Sequence, residues 1–157
     1  MPKFPYTKTS APLVPWFCKI KNAPLLKVGI LSKSALMVKP VAYIDTGAQF
    51  CMFDSGYAKP LGITDYKNVS PENIIPLSGI GGEAQENTAY FHDLKLVIFN
   101  DQTHLKLNNA LKIIETKIGF FEKPIPFTGI LGVYGFLDHF SFKFNIPEGY
   151  FELEPLF

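Results

Sequence analysis

The sequence contains no arginine. All 15 of its basic residues are lysines, set against 14 acids for a formal net charge of +1. Nucleic-acid recognition draws on arginine forks and clustered basic surface, and these charges are scattered, so nucleic acid is not an expected partner. Cysteine is scarce as well. Cys18 and Cys51 form no metal-ligand spacing. They could pair only if the fold brings them together, and two buried free thiols in a reducing compartment is the plainer expectation. His92, His104 and His139 lack ligand spacing too, so no metal or other cofactor is implied. No apolar run approaches the roughly 18 residues that a membrane-spanning helix needs. The opening MPKFPYTKTSAPLVPWF has prolines where a secretory leader has an apolar core. The expectation is a cytoplasmic protein with no membrane partner.

What is present points to β structure. Apolar residues make up 47% of the 157, and 13 prolines and 15 phenylalanines suit a turn-rich β chain better than a helical one. The length fits one domain. Residues 1–12, with Pro2, Pro5 and Pro12, read as an extended arm, and residues 13–157 as the domain. Strand-like stretches cover 14–21, 25–31, 35–44, 74–80, 84–99 and 104–114, and residues 124–131 lead into Gly132. A helical turn or two is expected over 55–61, closed by Pro60 and Gly62, and a short helix over 135–140. Phe140, Phe142, Phe144 and Ile146 alternate with polar neighbours, Pro147-Glu148-Gly149 is a turn, and residues 150–153 return as a strand. Short strands separated by turn signals predict an all-β sandwich or barrel, with no repeat, linker or second domain.

The strongest chemical signal is Ala42-Tyr43-Ile44-Asp45-Thr46-Gly47-Ala48. An apolar strand delivers a carboxylate at a fixed depth. Thr46 supplies a small hydroxyl that can bond across a subunit interface. Gly47 permits close backbone approach, so that its N–H can support the carboxylate. Two such carboxylates about 3 Å apart cannot both ionise. Sharing a proton, one serves as base to a water and the other donates to a scissile carbonyl. Alone the triplet is a weak signal. Two further features accompany it: a glycine-rich turn at Gly79-Ile80-Gly81-Gly82, and Ile130-Leu131-Gly132 followed by the short helix expected over 135–140.

That order of features resembles the retropepsin family, which holds the retroviral proteases and their single-domain bacterial relatives. The resemblance spans about residues 13–154. It implies a closed or partly open β-barrel of the retropepsin type, with a flap hairpin and one short C-terminal helix. It further implies that Asp45 is the catalytic acid, with Thr46 and Gly47 completing its loop and Ala48 lining the substrate site. Gly79, Ile80, Gly81 and Gly82 would form the tip of a flap closing over a peptide or protein substrate. Ile130, Leu131 and Gly132 would thread behind the Asp loop, and the C-terminal strands would lie where such proteins often dimerise. Tyr43, Ile80, Phe50 and Val133 are candidate walls of apolar subsites.

The chain departs from viral members at two positions. They commonly carry an acid two residues after the Ala and an arginine directly after the second Gly, where this sequence has Phe50 and Val133. An apolar contact can replace such a buried pair at little cost. A second Asp-Ser-Gly at Asp54-Ser55-Gly56 lies too close to Asp45 to belong to a second lobe and reads as a turn or helix N-cap. One chain therefore brings one catalytic acid, and a two-carboxylate reaction requires a homodimer with Asp45 and its mate on the two-fold axis. The expected function is an aspartic endopeptidase. The alternatives are a non-catalytic peptide-binding or scaffold module of the same fold, and an unrelated β-barrel interaction protein.

Overall fold

Alternating and continuous apolar runs both appear along this chain, and each takes the strand environment it calls for. The computed structural model describes residues 2–10, 20–78, 86–125 and 128–157. Its strands are β1 (Lys3–Pro5), β2 (Thr7–Ser10), β3 (Ile20–Ala23), β4 (Leu25–Leu31), β5 (Met37–Val38), β6 (Val41–Ile44), β7 (Met52–Asp54), β8 (Ile74–Leu77), β9 (Asn87–Phe99), β10 (Ala110–Phe121), β11 (Gly129–Leu131), β12 (Phe140–Asn145) and β13 (Tyr150–Pro155).

Six strands close a barrel in the order β4-β6-β11-β7-β10-β9, with β9 returning to pair with β4. Closure removes the exposed edges that an open sheet would leave. Leu26, Val28, Ile30, Ile44, Phe53, Leu96, Ile98, Phe120 and Leu131 fill its buried core. Burying each such side chain is worth about 1.5–3 kcal/mol. In β9 the first residues alternate between buried and half-buried, while Leu96 to Phe99 are buried without a break. The change coincides with the second partner: over residues 95–98 β9 is flanked by both β4 and β10. β8 adds to the far half of β9, with Leu77 opposite Asn87, as a hairpin.

Outside the barrel, β1, β13 and β12 form a three-stranded antiparallel sheet. Phe4 stacks on Phe151 at 5.5 Å between ring centroids, and Phe142 stacks on Phe144 at 6.0 Å. Of the expected arm, residues 1, 11 and 12 lie outside the described residues; residues 2–10 are largely extended but do not project as an arm. Phe4 pairs with Phe151, and Thr7–Ser10 pairs with β3.

Several boundaries differ from the sequence reading. The stretch 35–44 is not one strand. It divides into β5 and β6, because Pro40 has no N–H to donate and its carbonyl instead accepts from the Val28 N–H (3.0 Å). The strand expected over 104–114 starts and ends later, at Ala110–Phe121. Glu115 and Lys117 face outward while Thr116 and Ile118 are buried, so the polar-looking centre is one face of a continuing strand. The short helix over 135–140 is a single 3-10 turn, Leu137–His139. The helical turns expected over 55–61 are two 3-10 turns, Ser55–Tyr57 and Lys59–Leu61, and Gly62 closes them at φ +83°.

Candidate active site

Asp45 is the residue immediately after β6. β6 runs parallel to β11, with Tyr43 opposite Ile130 and Ile44 opposite Leu131. The pairing continues past the strands. Asp45 N–H donates to Leu131 O (3.0 Å), Val133 N–H to Ala48 O (2.9 Å) and Tyr134 N–H to Gln49 O (2.8 Å). The segment from Ile130 through Gly132 thus lies against the Asp45 loop and holds it by main-chain bonds. Gly132 is required there for its size. A Cβ at that position would fall 2.4 Å from Phe50 O and 2.8 Å from both Ala48 O and Phe50 N. Only glycine allows two backbones this close.

Within the loop, Gly47 N–H donates to Asp45 Oδ1 (2.8 Å). Asp45 is half-buried, while Thr46 and Gly47 are exposed. Among the described residues, none hydrogen-bonds the Thr46 hydroxyl. Asp54 has the same local arrangement, accepting from Gly56 N–H at 2.8 Å, but there the carboxylate caps the 3-10 turn Ser55–Tyr57. The second Asp-Ser-Gly is therefore the N-cap that its sequence suggested. The two triplets are distinguished by their surroundings. Asp45 opens onto a cavity of about 460 Å³ and Asp54 does not line it.

That cavity is walled by Gly47, Ala48, Gln49, Phe50 and Met52 on the loop side and by Ile75, Pro76, Leu77 and Ser78 on the β8 side. Met52 belongs to a second buried cluster with Ala89, Phe91 and Phe121, against which Phe50, Ile75 and Leu77 pack. Asp45 is its only charged lining residue among those described. Of the four expected subsite walls, Phe50 lines the cavity, Tyr43 and Val133 do not, and Ile80 lies outside the described residues. Val133 is instead exposed, with its main chain engaged by Ala48. Gly79, Gly81 and Gly82 likewise lie outside the described residues, although β8 and β9 form the hairpin that leads to them. The sequence reading missed Met52, Ile75 and Leu77. The sequence predicts a strand over 74–80, and nothing local indicates that its described part, β8, faces the loop after β6.

Phe50 belongs to an aromatic cluster. Phe50 packs edge-on against Phe91 (5.2 Å between centroids) and against Tyr134 (6.4 Å), and it bridges Tyr134 through the main chain. Its aromatic partner on the second segment is therefore Tyr134, the residue after Val133.

The remaining polar candidates sit apart from the cavity. His92 Nε2 lies 2.8 Å from Tyr66 O, His104 belongs to an exposed turn with Asp101 and Thr103, and His139 lies 3.7 Å from Asp138. Cys51 is buried, its Sγ 3.6 Å from Tyr134 O, and burial pushes its thiol up to about 12. A thiol so disfavoured as thiolate is no nucleophile. Cys18 and Trp16 lie outside the described residues. Among the described residues no helix is long and apolar enough to cross a membrane. Comparison with family models, curated proteins and solved structures returned no match for this chain.

Proposed function

We propose that the chain is one subunit of a homodimeric aspartic endopeptidase of the retropepsin type, working in the cytoplasm on peptide or protein substrates. One observation carries this reading. The Asp45 carboxylate, fixed by Gly47 N–H, opens onto a mostly apolar cavity between its loop and a β-hairpin, and Thr46 and Gly47 are exposed beside it. A second copy placing its own Asp45 across a two-fold axis completes the acid pair. The pair holds one proton between two carboxylates. The ionised member takes a proton from a bound water as that water attacks the scissile carbonyl carbon. The protonated member donates to the carbonyl oxygen. As the tetrahedral diol collapses, the carboxylate that took the water proton gives it to the departing amine nitrogen and the C–N bond breaks. The other carboxylate recovers its proton from a diol hydroxyl, which becomes the acid carbonyl. The peptide lies extended, as an added strand between the two hairpins.

Asp45→Asn tests the chemistry. The variant is expected to fold and dimerise as the wild type does while cleavage of a peptide library disappears, and statine-type transition-state mimics should inhibit the wild type. Undiminished hydrolysis by Asp45→Asn removes the two-carboxylate mechanism.

A second reading is a peptide-binding or scaffold module without catalysis. The observation favouring it is the aromatic packing of Phe50 in place of an acid, with Val133 in place of an arginine. Mass in solution separates the two. A chain that stays monomeric at all concentrations holds one carboxylate and cannot run the paired reaction.

A further inference from the structure

A second cavity, of about 690 Å³, does not include Asp45. It lies where the end of β4 and its turn meet β9, β10 and Tyr134. Leu31, Ala35, Leu94 and the Tyr134 side chain supply its apolar walls. Tyr134 is 49% exposed, a large ring displayed to solvent while its main chain is tied to Gln49. At its rim are three lysines and two acids. Lys95 pairs with Glu115 (3.5 Å) and Lys117 with Asp93 (3.0 Å). Among the described residues Lys33 has no ion pair, so one positive charge of the lining is unmatched. Thr116, in the same wall, carries a buried hydroxyl with no hydrogen-bond partner among the described residues.

We propose that this cavity is a binding site for a small organic monoanion, a carboxylate bearing an apolar or aromatic group. The apolar walls and the displayed ring of Tyr134 favour an apolar or aromatic body, which gains by leaving water. The single uncommitted cation, Lys33, favours one negative charge. A dianion would place a surplus charge beside Asp93 and Glu115, and a cation would meet Lys33 with no free acid to receive it. The volume lies within the range of small-ligand sites. The site is not isolated from the cleft. Tyr134, which lines it, packs against Phe50, which lines the cavity at Asp45. An occupant resting on Tyr134 therefore touches the wall between the two cavities.

The test uses the full chain, isotopically labelled, titrated by NMR with 3-phenylpropionate, 3-phenylpropan-1-ol and 3-phenylpropylamine. The carboxylate is expected to shift the resonances of Leu31, Lys33, Leu94 and Tyr134, and to bind about tenfold tighter than the alcohol, with the amine weakest. Lys33→Gln, at an exposed position, should lower carboxylate affinity about tenfold and leave alcohol affinity unchanged. Equal affinity for the three probes, an unaffected Lys33→Gln variant, shifts confined to Ala48, Met52 and Ile75, or no shifts up to the solubility of the carboxylate would each overturn the proposal. None of these readouts depends on hydrolysis at Asp45.

Discussion

Replacing Gly132 with alanine probes the contact that holds the Asp45 loop. The added Cβ would stand 2.4 Å from Phe50 O and 2.8 Å from Ala48 O and Phe50 N, all main-chain atoms with no flexible end to swing aside. Restoring ordinary van der Waals separation moves one segment by roughly 1 Å, enough to stretch Val133 N–H to Ala48 O and Tyr134 N–H to Gln49 O beyond hydrogen-bond length. Each lost bond costs about 1 kcal/mol net, and the forced main-chain shift adds about 1–3 kcal/mol. The total, about 3–5 kcal/mol, is a large fraction of the roughly 5–15 kcal/mol that holds a domain together. At about 2–4 °C per kcal/mol for a chain of this size, the melting temperature should fall by roughly 10 °C. Gly149→Ala is the control. Gly149 has φ +78° and nothing near its missing Cβ, so alanine there meets only the left-handed backbone penalty of about 1–2 kcal/mol. Thermal and urea unfolding of both variants against wild type measures the difference. The reasoning is refuted if Gly132→Ala melts within about 2 °C of wild type, or if Gly149→Ala loses as much.

Other perturbations separate the parts of the molecule. Ala35 holds φ +63° in the turn after β4, a conformation costing alanine about 1–2 kcal/mol. Ala35→Gly should relieve it at an unfolded-state cost of about 0.5–1 kcal/mol, for a small net gain in urea midpoint; a loss would show that the turn holds no such strain. The Cys51 thiol, raised in the fold from 9.0 to about 12, should resist alkylation at pH 8 until the protein unfolds. Because its folded value lies above the unfolded one, its contribution is complete below pH 9 and is lost as the pH rises from there towards 12. Cys51→Ala should flatten that alkaline decline, and an unchanged profile would exclude the thiol as its source. Asp54→Ala should cost about 1 kcal/mol of stability through the lost cap and leave peptide hydrolysis intact, whereas Asp45→Ala should abolish hydrolysis with little change in stability. Kinetics and melting curves on the pair would show the assignment reversed if Asp54→Ala were the inactive variant.

Part of the architecture is readable in the sequence, where aromatic and polar residues alternate between turn signals. Phe140, Phe142 and Phe144 mark β12 by alternation, and the Pro147-Glu148-Gly149 turn and the return strand β13 follow from it. Where a strand is interrupted by a residue that cannot donate, or runs on through polar residues, the pattern is less informative. The break at Pro40 and the continuation of β10 through Glu115-Thr116-Lys117 depend on partners distant in sequence. Barrel closure is of the same kind. The pairing of β4 with β9 joins residues 28–31 to residues 95–98, and no local periodicity encodes it.

The site shows the same division. Asp45-Thr46-Gly47 and Asp54-Ser55-Gly56 each fold into a turn in which the carboxylate accepts the N–H two residues on, at 2.8 Å in both cases. Local chemistry therefore does not distinguish the proposed catalytic acid from an acid that caps a turn. The difference lies in what arrives from elsewhere in the chain. At Asp54 the carboxylate heads the 3-10 turn that follows it. At Asp45 it is the Ile130-Leu131-Gly132 segment, close enough behind the loop to demand glycine, and the β8 residues Ile75 and Leu77 across the cavity. Main-chain bonds from the 131–134 segment to Asp45, Ala48 and Gln49 hold the loop in place. Thr46 and Gly47 face outward, and none of the described residues meets the Thr46 hydroxyl. A loop held rigidly from behind and left open in front is the arrangement that a second copy would have to complete.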